Sequence, residues 1–317
     1  MKTRNKNIIK VALTALVFYF VASKFIANWS QIETYSWRLN YLQLIASVAL
    51  HLLTFLLLSE VWCWLMRSYG HRVKVKHAFK IAYLLNLGRY VPGKIWPVFG
   101  MAYLARRIGI SERESVSSWI VAQLYSNLSS ALVCIAIALI EPSIRDYLFQ
   151  TLPESVVIGV FTLMMVVLAL LIASPHLMNN LLNFTLRRLK RSEVELQITR
   201  GASLRLLLGY ILAWSLYGLA FWMFINSLSP AIQVAPLISI GAFVVAYQLG
   251  YLAFFAPGGI GVREAAISIV LKPYIGEAAF GVAIAARLWN MIVEISAALI
   301  AYKLSLPEAQ ENTLPEQ

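Results

Sequence analysis

Charge is scarce in this chain, and acidic charge scarcest. Only 13% of the 317 residues are charged, and aspartate occurs once, at Asp146. A soluble domain carries about 25% charged and about 45–50% apolar residues; here 60% are hydrophobic and the mean hydropathy is +0.70. A water-soluble enzyme with a polar exterior is excluded. One aspartate leaves little raw material for carboxylate-rich metal or phosphoryl-transfer chemistry. His51, His71, His77 and His176 show no metal-ligand spacing, and no His-x-x-Glu-His, Ser-His-Asp or Gly-rich nucleotide loop occurs. No enzyme activity, metal or cofactor is expected. The two cysteines, Cys63 and Cys134, lie inside apolar runs and read as small buried side chains.

What is abundant is long apolar sequence. A membrane-crossing helix needs about 20 apolar residues. Runs at 8–28, 40–66, 115–140, 155–173, 204–228, 233–255 and 277–302 approach or meet that length. The chain reads as all-α: a polytopic helical membrane protein of about seven full spans in one domain, 1–303, with a short acidic tail, 304–317, expected to be disordered. The first run follows Lys2, Arg4, Lys6 and Lys10 and has no small-x-small cleavage site before Lys24, so it reads as an uncleaved span.

Lysine and arginine outnumber the acids 27 to 15, net +12. In an apolar chain that excess marks cytoplasmic loops, not a nucleic-acid partner. The first ten residues hold four basic residues, 67–80 five, 106–113 three and 174–205 six; 29–39 and 141–154 hold one each and 229–233 none. The N-terminus is therefore expected in the cytoplasm, provided that 79–105 enters and leaves on that side. In 174–205, Leu177, Leu181, Phe184 and Leu189 share a helical face beside Arg187, Arg188, Lys190 and Arg191. A surface-lying amphipathic helix fits, although the simpler reading, a topogenic basic loop, is favoured.

The apolar stretches of 79–105 are too short to span singly and are interrupted at Gly88, Pro92, Gly93 and Pro97. Proline removes a backbone donor and glycine relaxes the chain, so a sharp break is expected there. Residues 249–276 repeat the pattern, with a break at Pro257, Gly258, Gly259 and Gly261. Two re-entrant hairpins in matching positions imply a two-half pseudo-repeat, and such paired broken segments point to a transporter's binding site. Half-helix N-termini with Arg89, Lys94 and Arg263 beside them suit an anionic group.

An intramembrane charge costs roughly 2.5–3.5 kcal/mol at a helix centre, so each needs a reason. Lys24 and Glu60 fall near span ends, where snorkelling accounts for them. Arg287 and Glu294 are seven apart on the last span, about 10 Å along the axis, with Asn290 between them. That separation rules out an intrahelical ion pair, and Glu264 is the expected partner of Arg287. An interhelical network and a substrate-lining face both fit this stripe. Gln123, Ser126, Asn127 and Ser130 form a second stripe, for which interhelical glue is favoured, with Gln123 and Asn127 also candidate substrate contacts.

GRYVPGKIWPVFGMAYLARRIGIS (88–111) and FFAPGGIGVREAAI (254–267) resemble the two signature motifs of the lysylphosphatidylglycerol synthase transmembrane-region family, also described as flippase-like. Tyr90, Pro92, Gly93, Arg106, Arg107, Gly109 and Ser111 match the first motif. Pro257, Gly258, Gly259, Gly261, Arg263 and Glu264 match the second. Where family members often carry an acidic residue on the span after the first motif, this chain has Gln123, so an ionic role is not carried over. The resemblance implies a flippase of the bacterial inner membrane that handles lipids with anionic headgroups, phospholipid or polyprenyl-phosphate-linked glycolipid, in envelope biogenesis. Full-length members flip aminoacylated phosphatidylglycerol and add an aminoacyl-transfer domain; the 15 residues after Tyr302 leave no room for one, and a stand-alone member is expected. A scaffold for envelope-glycan synthesis proteins is the alternative. A polyprenyl-linked glycosyltransferase is disfavoured, because the first external loop offers only Glu33 of the acidic pair such enzymes carry. In a background lacking both native cysteines, Gln31→Cys should react with an impermeant maleimide in intact spheroplasts and Asn5→Cys only after lysis; the reverse pattern overturns the orientation.

Overall fold

The computed structural model describes residues 37–84, 86, 96–151, 153–188, 193–194, 196–253 and 256–307. The first apolar run, the first Pro-Gly break and most of the acidic tail therefore lie outside the described residues. The described chain is helical: α1 (Tyr41–Arg67), α2 (Val75–Tyr83), α3 (Trp96–Arg106), α4 (Glu112–Ile140), α5 (Pro142–Thr151), α6 (Glu154–Ala173), α7 (Pro175–Arg188), α8 (Arg200–Leu228), α9 (Pro236–Leu252), α10 (Val262–Ile275) and α11 (Ala278–Lys303). A 3₁₀ turn, Pro257–Gly259, joins α9 to α10. Among the described residues α1, α4, α8 and α11 are long and apolar enough to cross a membrane; the expected spans at 155–173 and 233–255 correspond to α6 and the 17-residue α9.

Local chemistry fixes where the helices start. Asn40 accepts the Gln43 amide at 3.1 Å to open α1, and Thr199 accepts that of Ala202 at 3.2 Å to open α8. The end of the first motif is a helix stop followed by a start. Gly109, at φ +81°, closes the turn after α3, and Ser111 with Glu114 forms a capping box that opens α4.

α8 is the central helix: 56% of its most apolar window is buried, against 33–39% for the other three spans. It packs most extensively on α1 and then on α9 and α4. Neutral hydrogen bonds stitch these faces together. Trp214 Nε1 donates to the Ser126 carbonyl at 3.0 Å, Ser129 Oγ to that of Leu207 at 3.2 Å, and Tyr125 and Ser203 pair at 2.6 Å. On α1, Trp62 donates to Ser118 of α4, and Ser47 accepts from Trp289 of α11. Each bond satisfies a polar group inside an apolar bundle, where an unmet one is costly. The outward faces carry Leu42, Ile45, Leu53, Leu288, Ile292 and Leu299, all exposed, as a lipid-solvated surface requires.

The first part of the basic stretch after α6 is helical (α7), not simply a topogenic loop; Leu189, Lys190 and Arg191 lie outside the described residues. Met178, Leu182 and Leu186 of α7 are buried, while Leu177, Leu181 and Phe184 remain exposed beside Arg187 and Arg188. The returning strand of chain is held by Asn183 and Asn179, which accept the amides of Val194 and Leu196. Part of the tail is packed as well: Leu306 is buried, and Lys80 Nζ donates to the Leu304 carbonyl. Glu60 accepts from Trp64 at 2.6 Å and faces Arg67 at 3.6 Å, as a span-end acid does.

The α8–α9 crossing depends on Gly218. A methyl group there would sit 2.5 Å from the Ile240 Cα, a backbone atom that cannot yield without separating the helices. Gly218→Ala should cost about 1–3 kcal/mol and lower the melting temperature in detergent. Gly201→Ala, in open space, should change it little; equal melting temperatures for the two variants would overturn the close-approach account.

Candidate functional site

The second Pro-Gly motif folds into a turn that only glycine accommodates. Gly258, Gly259 and Gly261 take φ of +58°, +70° and +84°, a region costly for residues with a Cβ. The turn is pinned by charge. Glu264 Oε2 accepts the Gly261 amide at 2.7 Å, capping α10, while Oε1 faces Arg287 Nε at 3.6 Å. Arg287 Nη1 donates to the Gly258 carbonyl at 3.1 Å. The expected partnership of Arg287 with Glu264 is thus present, with side-chain exposures of 13% and 6%. At that burial the pair is a structural clamp between α11 and the turn, since each charge would be stranded without the other.

Arg263, next in sequence, is placed differently. Its guanidinium lies over the Tyr247 ring, 3.8 Å from the centroid, a cation–π contact between α10 and α9. Gly250 and Gly259 form the slot that admits it: a methyl on Gly250 would lie 2.6 Å from Arg263 Nε, and one on Gly259 2.9 Å away. Arg263 Nε is buried and has no hydrogen-bond partner. Among the described residues no carboxylate is within ion-pair distance of Arg263. Glu264 is committed to Arg287.

Arg263 faces a cavity of about 310 Å³ between α4, α8 and α9. Gln123, Ser126 and Asn127 line it from α4, Tyr210, Trp214 and Tyr217 from α8, and Tyr247, Gln248 and Tyr251 from α9; Gly258 and Gly259 close it. The α4 stripe thus serves two purposes. Ser130 is glue, accepting from Gln248 Nε2 at 2.5 Å, while Gln123, which also hydrogen-bonds Tyr251, lines the cavity with Ser126 and Asn127. A second cavity of about 30 Å³ lies between Arg263, Glu264, Arg287 and Asn290. Glu294 is 2% exposed, accepts from Asn290 Nδ2 at 3.0 Å, and lines neither cavity. The structure therefore gathers Gln123, Asn127, Gly258, Gly259 and Arg263 at one cavity and assigns Glu264 and Arg287 to the frame beneath. Pro257 begins the turn, and Arg89, Tyr90, Pro92, Gly93 and Lys94 lie outside the described residues.

Sequence reasoning missed Tyr247, Gly250, Trp119 and Gln248. The clustered Tyr247-Gln248 and Gly250-Tyr251 at the end of an otherwise aliphatic run were a usable signal. The clamp makes a prediction. Arg287→Leu leaves a buried, unpaired carboxylate and should cost about 3–5 kcal/mol. Adding Glu264→Gln, which removes that charge, should recover part of the loss in a detergent thermal melt. A double variant no more stable than Arg287→Leu would overturn the clamp.

No curated protein and no solved structure matches this chain. The model of the family described as "Lysylphosphatidylglycerol synthase TM region" matches residues 7–296, nearly the whole length and both glycine-containing motifs. The chain is a multi-pass helical membrane protein belonging to the lysylphosphatidylglycerol synthase transmembrane-region family.

Proposed function

We propose that this protein binds the phosphate of an anionic membrane lipid beside Arg263 and carries the lipid across the bacterial inner membrane in envelope biogenesis, without covalent chemistry. One observation carries the reading: a guanidinium with a buried, unbonded Nε, with no carboxylate partner among the described residues, facing a cavity whose wall carries carboxamide and hydroxyl groups inside an apolar protein. A cation so placed is electrostatically incomplete, and a phosphate oxygen is the ligand that guanidinium geometry suits best. Membership of a lipid-related family supports the same class of substrate. The N-terminus is cytoplasmic in this reading, and envelope-glycan synthesis proteins are candidate partners.

Headgroups enter by exchanging water for amide and aromatic contacts, while the acyl chains stay in the bilayer against the exposed aliphatic faces. The Arg263 charge favours the phosphate in the cavity, and movement of α9 and α10 relative to α4 and α8 transfers it. In proteoliposomes carrying fluorescent lipid, Arg263→Ala should slow translocation of phosphatidylglycerol about tenfold, the loss of one charge-assisted contact, with phosphatidylcholine unchanged. Arg263→Lys should retain an intermediate rate, and Arg145→Ala, at an exposed residue paired with Asp146, the full rate. Wild-type protein no faster than empty liposomes, together with a stably co-purifying synthesis protein, would replace transport with the scaffold reading.

A further inference from the structure

The cavity that faces Arg263 is chemically one-sided. Among the described residues its polar side chains other than the tyrosine hydroxyls and tryptophan NH groups are Asn86, Gln123, Ser126, Asn127 and Gln248, all uncharged, and Arg263 is its single charge. No carboxylate among the described residues lines it. Glu264, next to Arg263 in sequence, points into the frame, where Arg287 and the Gly261 amide occupy its two oxygens. Among the described residues a negative charge is matched here by Arg263, and a positive one has nothing to pair with. An ammonium within about 8 Å of a fixed guanidinium at an intermediate dielectric would lose about tenfold or more in affinity.

The remaining lining is equally specific. Carboxamides donate and accept at once, as hydroxyl groups do, so amides satisfy a polyol without proton transfer or charge. Trp119 and Trp214 also line the cavity, and aromatic rings supply apolar surface against which the C–H groups of a sugar or polyol pack. At about 310 Å³ the space is at the small end for ligand pockets, which run from about 300 to 1,000 Å³. It is sized for one headgroup.

We infer, building on the lipid-carrier reading above, that the site selects an anionic phosphodiester lipid whose headgroup is an uncharged polyol or a single sugar. It excludes headgroups that carry an ammonium, aminoacylated ones included. Arg263 takes the phosphate, Gln123, Asn127 and Gln248 take the hydroxyls, and the Arg263 charge, with no acid among the described lining residues to offset it, is the exclusion device. Gln123 is the position at which that device can be reversed, because glutamate is its isostere and would place a carboxylate in the cavity.

The test is competitive lipid retention by native mass spectrometry of the full chain in detergent. Phosphatidylinositol, phosphatidylglycerol, phosphatidic acid, lysylphosphatidylglycerol and phosphatidylcholine are supplied together. Phosphatidylinositol and phosphatidylglycerol should be retained at least about tenfold over lysylphosphatidylglycerol and phosphatidylcholine, and several-fold over phosphatidic acid. Gln123→Glu should raise lysylphosphatidylglycerol retention about tenfold while lowering that of phosphatidylglycerol; Gln248→Glu repeats the test from α9 should the first variant not fold. Equal retention of the three anionic lipids above phosphatidylcholine would overturn the polyol selection and leave the anionic-lipid reading standing. Lysylphosphatidylglycerol retained as well as phosphatidylglycerol by the wild type would overturn the exclusion. Retention of every lipid at the phosphatidylcholine level would overturn both.

Discussion

The buried pair between Arg287 and Glu264 is the constraint on which the site depends. A glycine-rich turn has no side chains to hold its own shape, and its backbone is entropically the most expensive to fix. Here one guanidinium supplies the missing restraint twice, through the Gly258 carbonyl and through Glu264, which in turn caps α10 at Gly261. The turn is thereby fastened to α11, the helix that crosses behind it. Orientation of α10 follows from that attachment, and so does the direction in which Arg263 leaves the helix.

Two adjacent residues consequently do opposite things. Glu264 turns inward and has its charge neutralised, so it contributes to the frame. Arg263 turns toward α9, where Gly250 and Gly259 leave a slot just wide enough for its side chain and Tyr247 covers its guanidinium. An aromatic face attracts a cation without neutralising it, so Arg263 keeps an outward field while being held in place. Many polar contacts among the described residues of the bundle interior are neutral, such as Trp214 with Ser126 and Gln248 with Ser130. Those bonds satisfy polar atoms at membrane depth yet cost little to rearrange, which suits a wall that must move.

Much of this was legible in the residues. Long apolar runs dictated helices and lipid-facing surfaces, because nothing else hides backbone polarity in hydrocarbon. Pro257 to Gly261 announced a break, and the charge of Arg287 demanded a partner that Glu264 supplies. Less legible was the division of labour within each polar stripe. Gln123 and Ser130 lie on one face of α4 at helical spacing, yet one faces the cavity and the other binds Gln248. Likewise Glu294 matches Arg287 in periodicity but is buried away from both cavities against Asn290.

Hydropathy and backbone stereochemistry act within a few residues, so the residues alone dictated a helical membrane protein, the break at Pro257 to Gly261 and the chemistry available there. Tertiary structure alone decided which charges are spent on the frame and which remain for a ligand. That choice depends on distances between α9, α10 and α11, and on whether Gly250 of one element leaves room for Arg263 of another, and no local pattern encodes the meeting of two helices.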